Sequence, residues 1–335
     1  MLKIAVLGCG RIGRMHAENI ARHPRAKLAG VFDVYQPAAI EVATKLGVTR
    51  FETAEELLTS KDVDAILIAT STPTHADYIE QAVAHGKPML CEKPIDLSLA
   101  RVDACAKVIA GKNIPIMLGF VRRFDPGHRA VRKAIEAGKI GNLHQVTIVS
   151  RDPGLAPEAY IAESGGIFRD MTIHDFDMAR YILGEEVTEV TAVGSRLVAP
   201  ALMEKFADYD TISVTMVTAS GKQAIITNSR RAVYGYDQRV EALGDAGMAV
   251  SENHRVHNMQ LHSADFTAQG APLQNFFIER YVEAFAAEID SFVDAVEKGT
   301  PLEVDFEDGR KALILAEAAI RSLAERRTVA VSEVA

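Results

Sequence analysis

Asp170 and His174 stand four residues apart, so on a helix they share one face and can pair. A carboxylate hydrogen-bonded to one imidazole nitrogen fixes the tautomer and raises the basicity of the other, which then takes a hydroxyl proton near neutral pH. Glu92-Lys93-Pro94 supplies a second chemical group. It follows the apolar run Pro88 to Cys91, which puts it at the carboxyl edge where α/β sheets bind ligands. An ammonium beside a substrate hydroxyl lowers that hydroxyl's pKa and stabilises the alkoxide as hydride departs. Pro94 suits a cis or otherwise rigid peptide that aims Lys93. Read singly, each has a plainer alternative: a surface lysine in a turn, and a helix-capping aspartate beside a structural histidine.

Gly8, Gly10 and Gly13 spell G-x-G-x-x-G between a strand-like run, Leu2 to Leu7, and a helical pattern, Ile12 to His23. The first glycine permits the tight turn, the second the approach of a pyrophosphate, and the third close helix-to-strand packing. The helix start then offers free N–H groups to phosphates. Asp33 closes the next strand, about 20 residues beyond the last glycine, where a carboxylate accepts from both adenosine ribose hydroxyls and repels the 2′-phosphate of NADP. Val34 offers no guanidinium to such a phosphate. NAD is the expected cofactor. Its expected contacts are Gly8, Gly10, Arg11, Ile12, Gly13, Asp33 and Val34, then Thr70, Ser71, Thr72 and His75 after a further strand, then Glu92 and Lys93. The plainer reading makes the glycines a tight loop, Asp33 a turn cap, and Thr70 to Thr74 an ordinary connection.

These groups need a scaffold. Strand-like runs at Lys27 to Phe32, Arg50 to Phe51, Ala65 to Ala69, Pro88 to Cys91 and Ile116 to Phe120 alternate with helical patterns at Pro37 to Leu46, Ala54 to Ser60, Ala76 to His85 and Ser98 to Ala110. That alternation predicts an α/β fold, an N-terminal Rossmann doubly wound parallel sheet. Past residue 121 the rhythm changes. A helix at Pro126 to Ala137 precedes runs that alternate apolar and polar residues, Gln145 to Ser150, Glu189 to Arg196, Thr211 to Thr218 and Gln223 to Arg230. These suit an antiparallel sheet in an α+β domain, with helices over Ile173 to Leu183, Ile278 to Lys298 and Asp308 to Ala324. Ser150 to Pro157, with two prolines, predicts a loop over the pocket, while Gly244 to Phe277 has too weak a period to assign. The expected division is an NAD-binding domain over 1–121 and a substrate-binding and oligomerisation domain over 122–335, whose last helix can pack back on the first.

A formal charge of −8 argues against binding nucleic acid or a membrane surface. Cys9, Cys91 and Cys105 form no C-x-x-C pair, which suits reduced thiols in the cytoplasm. No secretory h-region opens the chain and no apolar run reaches the roughly 18 residues of a membrane helix. His254, His257 and His262 are irregularly spaced without cysteines or H-E-x-x-H, so no metal is expected. The chain carries neither G-x-S-x-G nor a P-loop.

The glycine motif, Glu92-Lys93-Pro94 and the Asp170 to His174 spacing together resemble the Gfo/Idh/MocA oxidoreductases over essentially the whole chain. Gly119 to Pro126, Asp170 to Asp177 and Asn228 to Arg239 are similar to segments of that family's inositol 2-dehydrogenases. Val121 departs from them, standing where many relatives carry a polar residue such as asparagine. The resemblance implies oxidation of the axial hydroxyl of myo-inositol to the 2-keto product with reduction of NAD. It also implies Lys93, Asp170 and His174 as the catalytic set. Arg123, Asp177 and Tyr236 join those three as expected contacts of a cyclic polyol or sugar. For the second domain it implies an open, mostly antiparallel sheet, and a homotetramer assembled through the outer faces of such sheets.

Overall fold

The computed structural model describes residues 1–335. Short apolar runs ending at glycine or a polar residue build the first sheet. In chain order the elements are β1 (Leu2–Leu7), α1 (Arg11–Arg22), β2 (Ala26–Phe32), α2 (Gln36–Leu46), β3 (Thr49–Arg50), α3 (Ala54–Thr59), β4 (Ala65–Ile68), α4 (His75–Ala84), β5 (Met89–Glu92), α5 (Leu99–Ile109) and β6 (Ile116–Gly119). All strand pairs are parallel, in the order β3-β2-β1-β4-β5-β6. Every residue of β4 and β6 is buried, as expected of parallel strands covered on both faces. Chain order reverses between β1 and β4, and such a switch point opens a crevice at the carboxyl ends of the strands. Local chemistry sets the helix ends. Thr53 and Ser98 accept from the backbone N–H of Glu56 and Arg101, and α2 stops at Gly47, whose φ of 65° is left-handed.

The second group of elements begins with α6 (Pro126–Glu136), β7 (Leu143–Arg151), α7 (Glu158–Glu163), α8 (Ile167–Asp170), α9 (Ile173–Leu183), β8 (Val187–Ser195), α10 (Pro200–Lys205), β9 (Thr211–Thr218) and β10 (Gln223–Ser229). It continues with β11 (Asp237–Gly244), β12 (Gly247–Ser251), β13 (Gln260–Leu261), β14 (Gln269–Gly270), α11 (Phe277–Arg280), α12 (Val282–Lys298), α13 (Phe306–Glu325) and β15 (Val329–Ala330). One sheet runs β12-β11-β7-β10-β9-β8-β15, and within it only β7 and β10 pair in parallel. Burial alternates along β9 and β10, so Ile212, Val214, Met216, Ala224 and Ile226 form one buried face.

Three local expectations change. Strand β7 runs on through Ser150 and Arg151, which pair with Asn228 and Ser229 on one side and with Gln238 and Asp237 on the other. The connection therefore starts at residue 152, because ladder bonds and the burial of Ser150 outweigh the nearby prolines. The helix expected over Ile278 to Lys298 is broken at Tyr281, whose φ and ψ are −111° and 23°. There Arg280 is buried in an ion pair with Asp125, and Tyr281 is buried against the Tyr236 ring. The unassigned stretch after Gly244 holds β12 and the short β13–β14 pair, the latter in a largely exposed segment without internal period.

The chain forms two compact units, Met1–Phe124 with Glu283–Leu313, and Asp125–Val282 with Ile314–Ala335. The first unit thus recovers α12 and the start of α13. Inside it, Leu118 N–H donates to the Val304 carbonyl at 3.3 Å, and Gly309 lies against Ile95 and Leu118 so closely that a Cβ would sit 2.9 Å from Ile95. No helix is long and apolar enough to cross a membrane.

Candidate active site

Gly8 has φ +98°, and a Cβ there would meet the Ala69 carbonyl oxygen at 2.3 Å. A Cβ on Gly13 would lie 2.0 Å from the Gly8 oxygen, so α1 reaches this depth only without a side chain. Gly10 caps α1, and a Cβ there would have nothing within 4 Å. Two glycines are required by protein neighbours. The third leaves open space beside the N–H groups of a helix start, as a pyrophosphate needs. Asp33 Oδ2 accepts from Cys9 N–H at 2.6 Å and Oδ1 from Tyr35 N–H at 2.7 Å, which ties the carboxylate to the glycine loop. Its remaining lone pairs can accept two ribose hydroxyls. This arrangement fits NAD. Burial first, then the Asp33 charge, pushes the Cys9 thiol up to about 12, so it stays an unreactive thiol.

Thr70 and Thr74 share a 2.7 Å hydroxyl hydrogen bond, and the Thr74 hydroxyl donates to the Ser71 carbonyl at 2.8 Å. His75 is buried, with Nδ1 2.8 Å from the Pro94 carbonyl and Nε2 3.1 Å from that of Thr70. Burial pushes its pKa down, so the ring is neutral and carries one N–H, which the shorter contact places on Nδ1. Through that N–H His75 ties the start of α4 to the Pro94 carbonyl. The Lys93–Pro94 peptide is cis. Glu92 Oε1 lies 2.7 Å from His16 Nε2, on α1.

In the second unit Asp170 ends α8 and His174 lies in the first turn of α9. They do not share one continuous helix. His174 N–H reaches back to the Met171 carbonyl at 3.3 Å, a three-residue step that tightens the backbone between them. Asp170 is held from two sides, by the Tyr160 hydroxyl at 2.6 Å on Oδ1 and by Arg230 Nη1 at 3.2 Å on Oδ2. Arg230 is 2% exposed and also reaches Asp208 at 3.1 Å, whose other oxygen accepts from Ile167 N–H at the start of α8. Burial works against the Arg230 charge, but Asp170 and Asp208 outweigh it and raise its pKa. Beneath α9, Ser150 and Asn228 donate to the two oxygens of buried Asp175 at 2.6 and 2.8 Å, fixing the helix to β7 and β10.

Other expected contacts have structural partners. Arg123, in the first unit, donates to Asp308 and to the Glu303 carbonyl and is 6% exposed, which makes it a strap to α13. Tyr236 is buried edge-on to Phe276 and Tyr281 at 5.9 and 6.1 Å. Asp177 is 1% exposed, 3.9 Å from Arg180. Neither Tyr160 nor Arg230 stood out by spacing, because their partner Asp170 is 10 and 60 residues away.

Residues 2–120 match the family described as "Oxidoreductase family, NAD-binding Rossmann fold", and residues 128–250 match "GFO/IDH/MocA C-terminal domain". The inositol 2-dehydrogenase of Rhizobium meliloti (strain 1021) is 48% identical over 331 residues, 99% of each chain. A myo-inositol dehydrogenase structure from Corynebacterium glutamicum superposes with a TM-score of 0.95 at 44% identity, covering 98% of each chain. The scyllo-inositol dehydrogenase of Lactobacillus casei, solved with NAD(H) and scyllo-inositol, superposes at 0.90 with 30% identity over 99% of each chain.

Proposed function

Because the chain belongs to the Gfo/Idh/MocA family of NAD-binding oxidoreductases, we propose that it oxidises myo-inositol at its axial hydroxyl to 2-keto-myo-inositol. The observation that carries this reading is the full-length 48% identity to an inositol 2-dehydrogenase. NAD supplies the hydride acceptor. His174 takes the hydroxyl proton, Asp170 fixes the tautomer of the imidazole and raises its basicity, and the Lys93 ammonium stabilises the developing alkoxide. Tyr160 and Arg230 support the last of these assignments but one: they hold Asp170 as an oriented carboxylate. Arg123, Asp177 and Tyr236 are the further polyol contacts in the proposal.

Purified protein given NAD and a panel of polyols should reduce NAD fastest with myo-inositol, followed by NADH absorbance. A preference for scyllo-inositol or glucose would move the chain to that substrate, the second reading that the Lactobacillus casei neighbour supports. Replacing His174 by alanine should abolish turnover while NAD still binds; an unchanged rate would remove histidine from the mechanism. A cytoplasmic homotetramer completes the proposal, supported by three free, buried cysteines and by the exposed sheet face that carries Val193, Leu243, Met248 and Val250.

A further inference from the structure

Asp208 has no part in the chemistry above, yet both of its carboxylate oxygens lead to the residues that do. Oδ1 accepts from Ile167 N–H at 2.8 Å, and Oδ2 from Arg230 Nη2 at 3.1 Å. Ile167 is the first residue of α8 and Asp170 the last, and Arg230 Nη1 reaches Asp170 Oδ2 at 3.2 Å. Both ends of one helical turn are therefore tied to a single carboxylate, the first directly and the second through a guanidinium. Asp208 is 5% exposed and buried with Arg230. Gly166, with φ +84°, precedes the turn, and a Cβ there would crowd Asp208 Oδ1 at 3.0 Å.

Asp208 is itself fixed by its backbone. Its N–H donates to the Met203 carbonyl in α10 at 2.8 Å, and its carbonyl accepts from Arg196 Nε at 2.9 Å. Ala207, directly before it, holds a φ of 51°, a left-handed conformation that a residue other than glycine adopts at a cost. Pairing the buried Arg230 charge needs one carboxylate, which Asp170 supplies, so the second calls for another reason. The bond to Ile167 gives it. A turn of four residues does not hold its shape alone, because nucleation is the costly part of helix formation. The other charged or titratable groups around the cluster are Tyr160 on Asp170 Oδ1, His174 in the first turn of α9, and Asp152, whose charge acts on both Arg230 and Tyr160. Arg169, on α8, pairs with Glu317, and the Asp210 carboxylate is held by the N–H groups of Leu197, Val198 and Ala199.

We propose that Asp208 is a positioning residue for the oxidation: it holds the start of α8 directly and its end through Arg230, and so fixes the Asp170 carboxylate that serves His174. An electrostatic consequence follows. Arg230 between Asp170 and Asp208 leaves one net negative charge, which favours the protonated imidazole; without the Asp208 charge the three side chains are neutral in sum, and His174 holds its proton less tightly. The inference rests on the reading of His174 as the base and Asp170 as its partner.

The test uses the full-length enzyme with NAD and myo-inositol, or whichever polyol the panel selects. D208N keeps the shape of the side chain and an acceptor for Ile167 but loses the charge. It should lower kcat about 10-fold, as small misplacements of a catalytic group do, with KM for NAD changed less than about twofold. The acid limb of its kcat/KM for the polyol should move to lower pH by roughly half a unit. D208E, which keeps the charge, should return that limb to its parent pH even where its Tm is lower. D208L/R230M removes the ion pair as a whole, so it should fold even if D208N does not, and it should lose about 10-fold or more in kcat. Parent kcat and a parent acid limb in D208N, at whatever Tm, mark Asp208 as merely structural and overturn the proposal; so does parent kcat in D208L/R230M, or a D208E limb that stays with that of D208N. H174A separates the two layers. Full kcat in D208N with H174A inactive overturns the positioning role alone, and an active H174A overturns it together with the catalytic reading.

Discussion

Asp33 shows how a single side chain does two jobs. It receives two backbone N–H groups that stiffen the glycine loop, and it keeps lone pairs for a ribose. Asp33→Ser should therefore cost roughly 10- to 100-fold in kcat/KM for NAD, the value of a lost charged hydrogen bond. Relative use of NADP should rise in the same assay, and an unchanged NAD-to-NADP ratio would remove Asp33 from cofactor choice. Arg230 is bound more tightly to stability. Buried between Asp170 and Asp208, it cannot be removed without leaving two carboxylates uncompensated, so Arg230→Met should destabilise by about 3 kcal/mol in urea unfolding. Glu288, buried within α12, gives a pH signature. Its folded pKa lies above the unfolded one, so its contribution is complete below the unfolded carboxylate range and declines as pH rises through about 4.3 toward the folded value. E288Q should flatten that decline, measured as urea midpoint against pH; an identical slope in the two proteins contradicts a neutral Glu288.

At the scale of elements, the β1–α1–β2 unit divides its glycines between folding and binding. Gly13→Ala drives a methyl into the Gly8 carbonyl and should lower Tm by several degrees as well as weakening NAD binding. Gly10→Ala meets no protein atom, so Tm of the NAD-free protein should hold while NAD affinity falls. Thermal melts with and without NAD read both, and equal Tm losses would show that Gly10 is also a folding requirement. The broken helix at α8–α9 is the second lesson. A spacing of four residues suggested one helical face for Asp170 and His174, yet a tighter turn intervenes, and the carboxylate is oriented by Tyr160 and Arg230. Spacing could not supply these holders, because α7 and the residue after β10 reach Asp170 only through the fold.

For the whole molecule, the chain crosses between its two compact units at residues 124, 282 and 313, so the first unit is closed by segments from near the end of the sequence. The sheet of the second unit shows apolar residues on its uncovered face, with Val193 64% and Met248 54% exposed. Faces of this kind mark association. Sedimentation should give a tetramer, and Val193→Lys combined with Met248→Lys should shift it to smaller species; a parent monomer would exclude assembly.

The alternation of strands and helices, and the glycine loop with Asp33 just past the next strand, were legible in the amino-acid sequence, because each depends on periods and spacings within about 20 residues. Tertiary structure alone decided the partners. His16 meets Glu92 across 76 positions, and Arg230 meets Asp170 across 60. Hydrogen bonds and burial at such separations depend on how elements pack, and a local pattern carries no record of that. The same cause gave Arg123 and His75 their polar partners, the Glu303 carbonyl with Asp308 for the first and the Pro94 carbonyl for the second, 180, 185 and 19 positions away.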